Sequence, residues 1–253
     1  MLFSFACNNE VIPGENKLNH SNNLHENIRD KNPYHSVSAI PLPGGYSRMA
    51  ADSPSFTRWL GNIALKEDKT VYLFDGRKKL NQSAQFAVLD ITVGNKNLQQ
   101  CADAVMRLRA EYLFSEKNYA AISFTDNEKG NYTFAPPYSK AHFTPFMEKV
   151  FGICGSASLA KQMKPVRDFS AIKPGDVLIR GGFPGHAAIV IDVAVNKNGH
   201  IIYMLAQSYM PAQDIHILLN PLSGDNSPWY EVSNNNTIIT PEYIFYKTEL
   251  KEW

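Results

Sequence analysis

The fold is decided by residues 176–219, DVLIRGGFPGHAAIVIDVAVNKNGHIIYMLAQSYMPAQDIHILL. This stretch holds four runs rich in apolar and β-branched residues, and Gly-Gly, Pro-Gly and Asn-Gly dipeptides lie between them. Short runs joined by such tight turns are typical of consecutive antiparallel strands. The segment therefore predicts a meandering antiparallel sheet.

Predicted helices precede this sheet instead of alternating with its strands. Asn97 is expected to cap a helix with Gln100 at its third position, and an apolar stripe then runs from Ala104 to Tyr112. Further helices are predicted around residues 143–151 and 156–164. This order predicts an α+β protein with a helix packed on an antiparallel sheet, and it argues against a doubly wound nucleotide-binding fold.

The residues upstream of Asn97 predict an N-terminal α/β extension to this sheet. Ser53 and Pro54 favour a helix start, because Ser is a common cap and Pro suits the first helical position. Residues 71–74 and 86–93 have the composition of strands and belong to this extension. Two further strands are predicted downstream of Asn97, at residues 120–124 and 131–135.

Composition and charge exclude several classes of protein. The chain has 253 residues, of which 44% are hydrophobic, so it can bury a sizeable core. Lys and Arg exceed Asp and Glu by one residue, which gives no reason to expect a nucleic acid partner. No apolar run approaches the length of a membrane-spanning helix. Three scattered cysteines form neither a disulfide framework nor a zinc motif.

The first residues, MLFSFAC, place a short apolar run directly before Cys7, and a polar, Asn-rich stretch follows. An apolar run with a small residue before a cysteine is typical of the cleavage point of a bacterial lipoprotein signal. We therefore expect residues 1–35 to be a signal remnant and flexible tether, and residues 36–253 to form one globular domain. A lipid on Cys7 is the only membrane contact expected, and the alternative is a disordered native start.

Cys101 is a candidate nucleophile because it lies in the first turn of a predicted helix. Backbone N–H groups at a helix N-terminus favour the thiolate and can lower the thiol pKa. His186, at a turn-to-strand boundary, is placed to act as its base. In an antiparallel pairing the end of the next strand returns towards His186, so Gln207 or Ser208 can orient the ring, and Gln207 offers an amide oxygen.

These residues are similar to those of the NlpC-type papain-like cysteine peptidases. The resemblance spans about residues 97–220 and rests on a cysteine opening a helix, PGDVLI at 174–179, GHAAIVID at 185–192 and a strand ending in LAQSY. It implies a papain-like core and an enzyme that cuts bacterial cell-wall peptides. Cys101 then matches the nucleophile, His186 the base and Gln207 the orienting residue. No metal or cofactor is expected.

The whole chain also resembles an uncharacterised bacterial family of lipoprotein type, domain of unknown function 4846. The segments that carry this resemblance are NIALK, QCADAVMRLRAEYLF and LAQSYMPAQDIHILLNP. It implies an exported protein of the bacterial cell envelope and no particular reaction.

Other interpretations of the candidate residues stay open. Cys154 also precedes a predicted helix and ranks second as candidate nucleophile, and the alternative for both cysteines is a packed, inert thiol. His186 is alternatively a core histidine bonded to a backbone carbonyl. Around Cys101 the chain has Gln-Cys-Ala-Asp, whereas the peptidases typically have Asp-Cys-Ser-Gly, so a catalytically inactive binding module on the same fold is the alternative function.

Supporting roles follow from the hydrolase hypothesis. The oxyanion donors would be the Cys101 backbone N–H and the side chain of Gln99 or Gln100. The aromatic segments around Tyr209 and Trp229 are candidates for a peptide-binding groove. The histidines outside the triad lack the spacing of metal ligands.

Overall fold

The meander predicted for residues 176–219 forms the centre of the fold in a computed structural model that describes residues 31–52 and 55–253. The helices of this part of the chain are α1 Phe56–Gly61, α2 Cys101–Ser115, α3 Lys140–Ile153 and α4 Ser156–Gln162. Its strands are β1 Tyr46–Arg48, β2 Gln85–Val88, β3 Ser123–Thr125, β4 Asn131–Thr133, β5 Lys164–Pro165, β6 Val177–Arg180, β7 His186–Asn196, β8 Ile201–Gln207, β9 His216–Leu218, β10 Tyr230–Glu231, β11 Thr237–Ile239, β12 Ile244–Tyr246 and β13 Leu250–Glu252.

A nine-stranded antiparallel sheet organises the unit Asn32–Trp253. Seven strands follow in the order β2-β9-β8-β7-β6-β13-β5, while β1 pairs with β7 and β10 pairs with β8. Strands β6 to β9 are each antiparallel to the next in sequence, as the turn dipeptides predicted. The α+β class and the antiparallel meander are confirmed.

Both faces of β7 are buried, which explains its nearly continuous apolar sequence. Ala187, Ile189 and Ile191 join the larger core cluster, which includes residues of α2, and helices α1 and α2 pack against this strand. The alternate side chains, Ala188 and Val190, belong to a second cluster on the other face. A strand covered on both sides needs no polar alternation.

The expected cap of α2 is wrong by three residues. The helix begins at Cys101 with Gln100 as N-cap, and Oδ2 of Asp103 accepts a hydrogen bond from the Gln100 N–H at 3.0 Å. Oδ1 of Asn97 instead accepts from the backbone N–H of Ala212 at 2.8 Å. The Asn97 side chain therefore connects two loops and does not cap the helix.

The extension contains less strand than its composition predicts. Residues 71–74 form no strand and make only single bridges, from Tyr72 to Lys78 and from Leu73 to Gln213. The run at 86–93 shortens to β2, which pairs with β9. Ser55 caps α1 by accepting from the Arg58 N–H.

Some expectations concern residues that the structure does not describe. Ser53 and Pro54 lie outside the described residues, and so does Cys7. Within the described ranges, the helices are all too short or too polar to cross a membrane.

Candidate functional site

Two loops meet where α2 begins, and polar contacts tie them together. Oγ of Ser208, the residue after β8, lies 2.9 Å from the carbonyl oxygens of both Gln99 and Gln213. The contact between Asn97 and Ala212 joins the same two loops. These contacts hold the start of α2, and with it Cys101, beside the end of β8.

The thiol of Cys101 is half-buried at the first position of α2. Burial raises its pKa, and the neighbouring Asp103 acts in the same direction. The backbone N–H groups of Ala102 and Ala187 oppose this shift, but the net pKa lies above the ordinary value. The N–H group of Ala102 at the helix start thus lowers this pKa, as expected, but desolvation outweighs it.

His186 and Gln207 are bonded to each other through their side chains. Nε2 of His186 lies 2.7 Å from Oε1 of Gln207, and the two residues are 2% and 1% exposed. The rings of Tyr209, Tyr243 and Phe245 enclose the imidazole, with centroids 4.7, 4.8 and 5.6 Å away. His186 is thus bonded to a side-chain amide and not, as a core histidine would be, to a backbone carbonyl.

Burial lowers the pKa of His186 to about 4. The nearby ammonium of Lys79 adds to this effect, while the bond to Gln207 and the carboxylate of Glu242 act against it. His186 is therefore a neutral imidazole at pH 7.

The residue before His186 has to be a glycine. A Cβ on Gly185 would lie 2.7 Å from the carbonyl oxygen of Arg180 and would also clash with Oγ of Ser156. Because the first of these contacts is with backbone, no small side-chain movement would relieve it. This close approach places His186 at the start of β7, opposite Arg180 of β6.

The structure brings the three predicted site residues into one region. The Cys101 thiol interacts with the N–H of Ala187, the residue after His186. Burial and the carboxylate of Glu242 raise the pKa of the hydroxyl of Tyr209, whose ring contacts His186, and a thiolate at Cys101 would act in the same direction. The thiol and the imidazole themselves share no hydrogen bond in the described contacts.

Cys154 has a different environment. It lies at the C-terminal end of α3, is 5% exposed and belongs to the larger core cluster. Burial, with the carboxyl groups of Asp126 and Asp103, raises its pKa to about 11. A thiol held in this state is a packed core residue at neutral pH.

The two glutamines expected to serve as oxyanion donors differ in their side-chain contacts. Oε1 of Gln99 accepts a hydrogen bond from Arg107, 1% of Gln99 is exposed, and its Nε2 has no partner. Gln100 is the N-cap of α2, and its Nε2 lies 3.4 Å from Asn97. The hydrogen-bond donors at this end of α2 are therefore Nε2 of Gln99 and the first backbone N–H groups of the helix, which lack intrahelical partners.

The two aromatic segments predicted to line a peptide-binding groove lie in different surroundings. Trp229 and Tyr230 are buried and donate hydrogen bonds to the backbone carbonyl oxygens of Pro41 and Leu219, and Tyr230 lines a different depression from that of Tyr209. Tyr209 does line a surface depression, of about 500 Å³, together with Met210, Pro211 and residues of the extension.

In residues 31–52 and 55–253 no group of three or more His, Cys, Asp or Glu side chains could hold a metal ion.

Sequence reasoning missed the residues behind Gln207. Nε2 of Gln207 donates to Oε2 of Glu242 at 2.9 Å, and Nζ of Lys79 donates to the same oxygen at 2.6 Å. Nδ2 of Asn81 donates to the other oxygen at 3.2 Å. No local signal marks these residues, since Lys79 follows another lysine and Glu242 is a single acid in a loop.

Comparison with known proteins identifies a family. A family model described as "Domain of unknown function (4846)" matches residues 37–136 and 125–252, which overlap and together span most of the chain. Neither the comparison with curated proteins nor the comparison with solved structures found a match. The chain belongs to the family described as domain of unknown function (4846).

Proposed function

We propose that this protein is a cysteine hydrolase that cleaves an amide or peptide bond, with Cys101 as nucleophile, His186 as general base and Gln207 as the residue that orients the imidazole. The observation that carries the proposal is the 2.7 Å contact between His186 Nε2 and Gln207 Oε1, beside a cysteine that opens a helix. An imidazole held on one nitrogen and unbonded on the other is suited to accept a proton.

In the proposed reaction, His186 removes the thiol proton of Cys101 as the sulfur attacks the substrate carbonyl carbon. The oxyanion that forms is stabilised by backbone N–H groups at the start of α2. The C–N bond then breaks, and the imidazolium gives its proton to the leaving amine. Water, deprotonated by His186, hydrolyses the thioester, which releases the acid and regenerates the thiol.

The finer fold assignment is part of the same proposal. Residues 97–220 would be a papain-like core of NlpC type, in which α2 carries the nucleophile and packs on the sheet that carries the base and the orienting residue. The chain order Cys101, His186, Gln207 supports this assignment.

Substrate and location also belong to the proposal. We take bacterial cell-wall peptide as the substrate class and the cell envelope as the location, with a lipid on Cys7 as anchor. The depression lined by Tyr209, Met210 and Pro211 adjoins the His186 ring through Tyr209 and would receive the peptide. Its apolar and aromatic walls suit side chains flanking a scissile amide.

A catalytically inactive binding module is the second candidate function. It is favoured by the raised pKa of Cys101, the lowered pKa of His186 and the missing hydrogen bond between the two side chains. Hydrogen bonds in catalytic sites without substrate are often long, so the hydrolase stays our first proposal.

The deciding experiment is turnover of soluble cell-wall peptides, with amine release followed by mass spectrometry. We expect hydrolysis by the wild type and by Cys154→Ser, the matched cysteine control. Cys101→Ala and His186→Ala should each abolish turnover, because each removes a covalent or proton-transfer step. Binding of the peptides without turnover by the wild type would establish the binding module instead.

A further inference from the structure

A buried carboxylate stands behind the residue that orients His186. Glu242 accepts hydrogen bonds from Gln207 at 2.9 Å, from Lys79 at 2.6 Å and from Asn81 at 3.2 Å. The side chains of Glu242 and Lys79 are 14% and 7% exposed. The ion pair is thus largely removed from water, where a charge needs a partner.

This arrangement determines which way the Gln207 amide faces. A carboxylate accepts hydrogen bonds and donates none, so the NH₂ group of Gln207 has to point at Glu242. The amide oxygen then points at His186. Without the carboxylate, the amide could rotate by half a turn and present its NH₂ group to the ring.

The orientation of the amide in turn determines the tautomer of His186. An amide oxygen only accepts, so Nε2 of His186 has to carry the ring proton. In a neutral imidazole the other nitrogen, Nδ1, then holds the free lone pair. Nδ1 makes no hydrogen bond to any residue that the structure describes, which leaves it available as the base.

We propose that Glu242 is a positioning residue that fixes, through Gln207, the Nε2–H tautomer of His186, and that Lys79 and Asn81 hold Glu242 in place for this purpose. The inference deepens the proposed function and rests on it for its catalytic meaning. It also gives residues 36–95 a role, because Lys79 and Asn81 come from that extension. The extension then completes the support of a site whose nucleophile and base lie in the later part of the chain.

The variant that tests this is Lys79→Met with Glu242→Gln, which removes both charges together and leaves no unpaired buried charge. Gln at position 242 can face Gln207 with either its oxygen or its NH₂ group, so the Gln207 amide is no longer fixed. The matched control is Arg48→Met with Asp192→Asn. It removes another partly buried ion pair, 2.7 Å long, whose acidic residue lies on β7 and outside the site.

The readout is the pair of imidazole ¹⁵N signals of His186, identified by their loss in His186→Gln. In the wild type and the control at pH 7 we expect a protonated Nε2 and a lone-pair Nδ1. In the double variant both signals should move towards averaged positions, as in a mixture of tautomers. This measurement needs no substrate, so it tests the positioning role even if the proposed hydrolysis fails.

Kinetics supply the second readout where turnover is found. The double variant should lose roughly tenfold in kcat with little change in KM, since a displaced tautomer removes the base but not the binding surface. A pure Nε2–H signal in the double variant, or an Nδ1–H tautomer in the wild type, would overturn the inference. If the double variant does not fold, Glu242→Gln alone is measured against Asp192→Asn by the same criteria.

Discussion

At Cys101, burial and the helix N-terminus act on the thiol in opposite directions, and burial prevails. The resting pair is therefore a neutral thiol and a neutral imidazole. We predict that the rate of Cys101 alkylation by iodoacetamide rises in a single step at a pH above the ordinary pKa of a cysteine thiol, because burial raises the pKa of Cys101. In assays between about pH 5 and about pH 7, the alkylation rate should show no plateau.

The alkylation is measured in Cys154→Ser, so that Cys101 is the one cysteine left among the residues that the structure describes. His186→Ala should leave the profile nearly unchanged, because a neutral imidazole contributes no charge to the thiol. An acidic plateau that disappears in His186→Ala would show that the two side chains form a thiolate–imidazolium pair instead.

His186 also makes stability depend on pH. Its pKa is about 4 in the fold and 6.5 in an unperturbed imidazole, so between these values the unfolded chain binds the extra proton. The free energy of unfolding should therefore fall as the pH drops from about 6.5 to about 4, by about 3 kcal/mol from this residue. Burial lowers the pKa of His216 to about 3, which adds a loss of the same sign.

Urea unfolding at two pH values isolates the share of His186. The acid loss of stability should be smaller in His186→Gln than in the wild type, because the variant has no group to protonate there. Carboxylates that titrate in the same range are common to both proteins and cancel in the comparison. An equal acid loss in the two proteins would contradict the prediction.

At the scale of the helix, Asp103 supports the N-cap residue of α2 and also changes its protonation state with pH. Its carboxyl accepts from the Gln100 N–H, so Asp103→Ala should destabilise the protein by about 1 kcal/mol at pH 5. Burial raises the Asp103 pKa to about 8, so the wild type loses stability as the pH rises from about 4 to about 8. Asp103→Asn keeps a hydrogen-bond acceptor but does not titrate. Its free energy of unfolding should therefore rise relative to that of the wild type over this pH range.

Urea unfolding of the wild type and Asp103→Asn at pH 5 and pH 8.5, chosen as assay points, measures this gain. A constant difference between the two proteins would mean that Asp103 stays ionised in the fold.

The elements that the sequence predicts well are those with local signals. Turn dipeptides and apolar runs are enough to predict β6 to β9, and the helices at α2, α3 and α4 follow from apolar periodicity. Residues 71–74 have the same strand composition but find no continuous partner, since strand formation depends on distant pairing. The cap of α2 was misplaced because Asn97 is recruited by the N–H of Ala212, more than a hundred residues away.

At the scale of the whole molecule, the site depends on contacts between distant parts of the chain. Cys101, His186 and Gln207 could be chosen from the sequence because residue type and strand order limit the choice. Glu242 and Lys79 could not, since their contact joins the C-terminal region to the extension and only the folded chain makes them neighbours. The extension and the later sheet therefore act as one unit at this site.

The surface depression beside the site joins the same two regions and gives the last prediction. Leu80 of the extension is fully exposed and Met210 is 56% exposed, and both line the depression. An exposed apolar side chain adds nothing to the core, so its removal should affect binding more than folding. If the depression receives the substrate, Leu80→Ser should raise KM several-fold with kcat within twofold, because the lost contact is made equally in the ground and transition states. Leu222→Ser, at a 72% exposed leucine outside the depression, is the control and should change neither constant. An unchanged KM in Leu80→Ser would show that the peptide approaches Cys101 from another side.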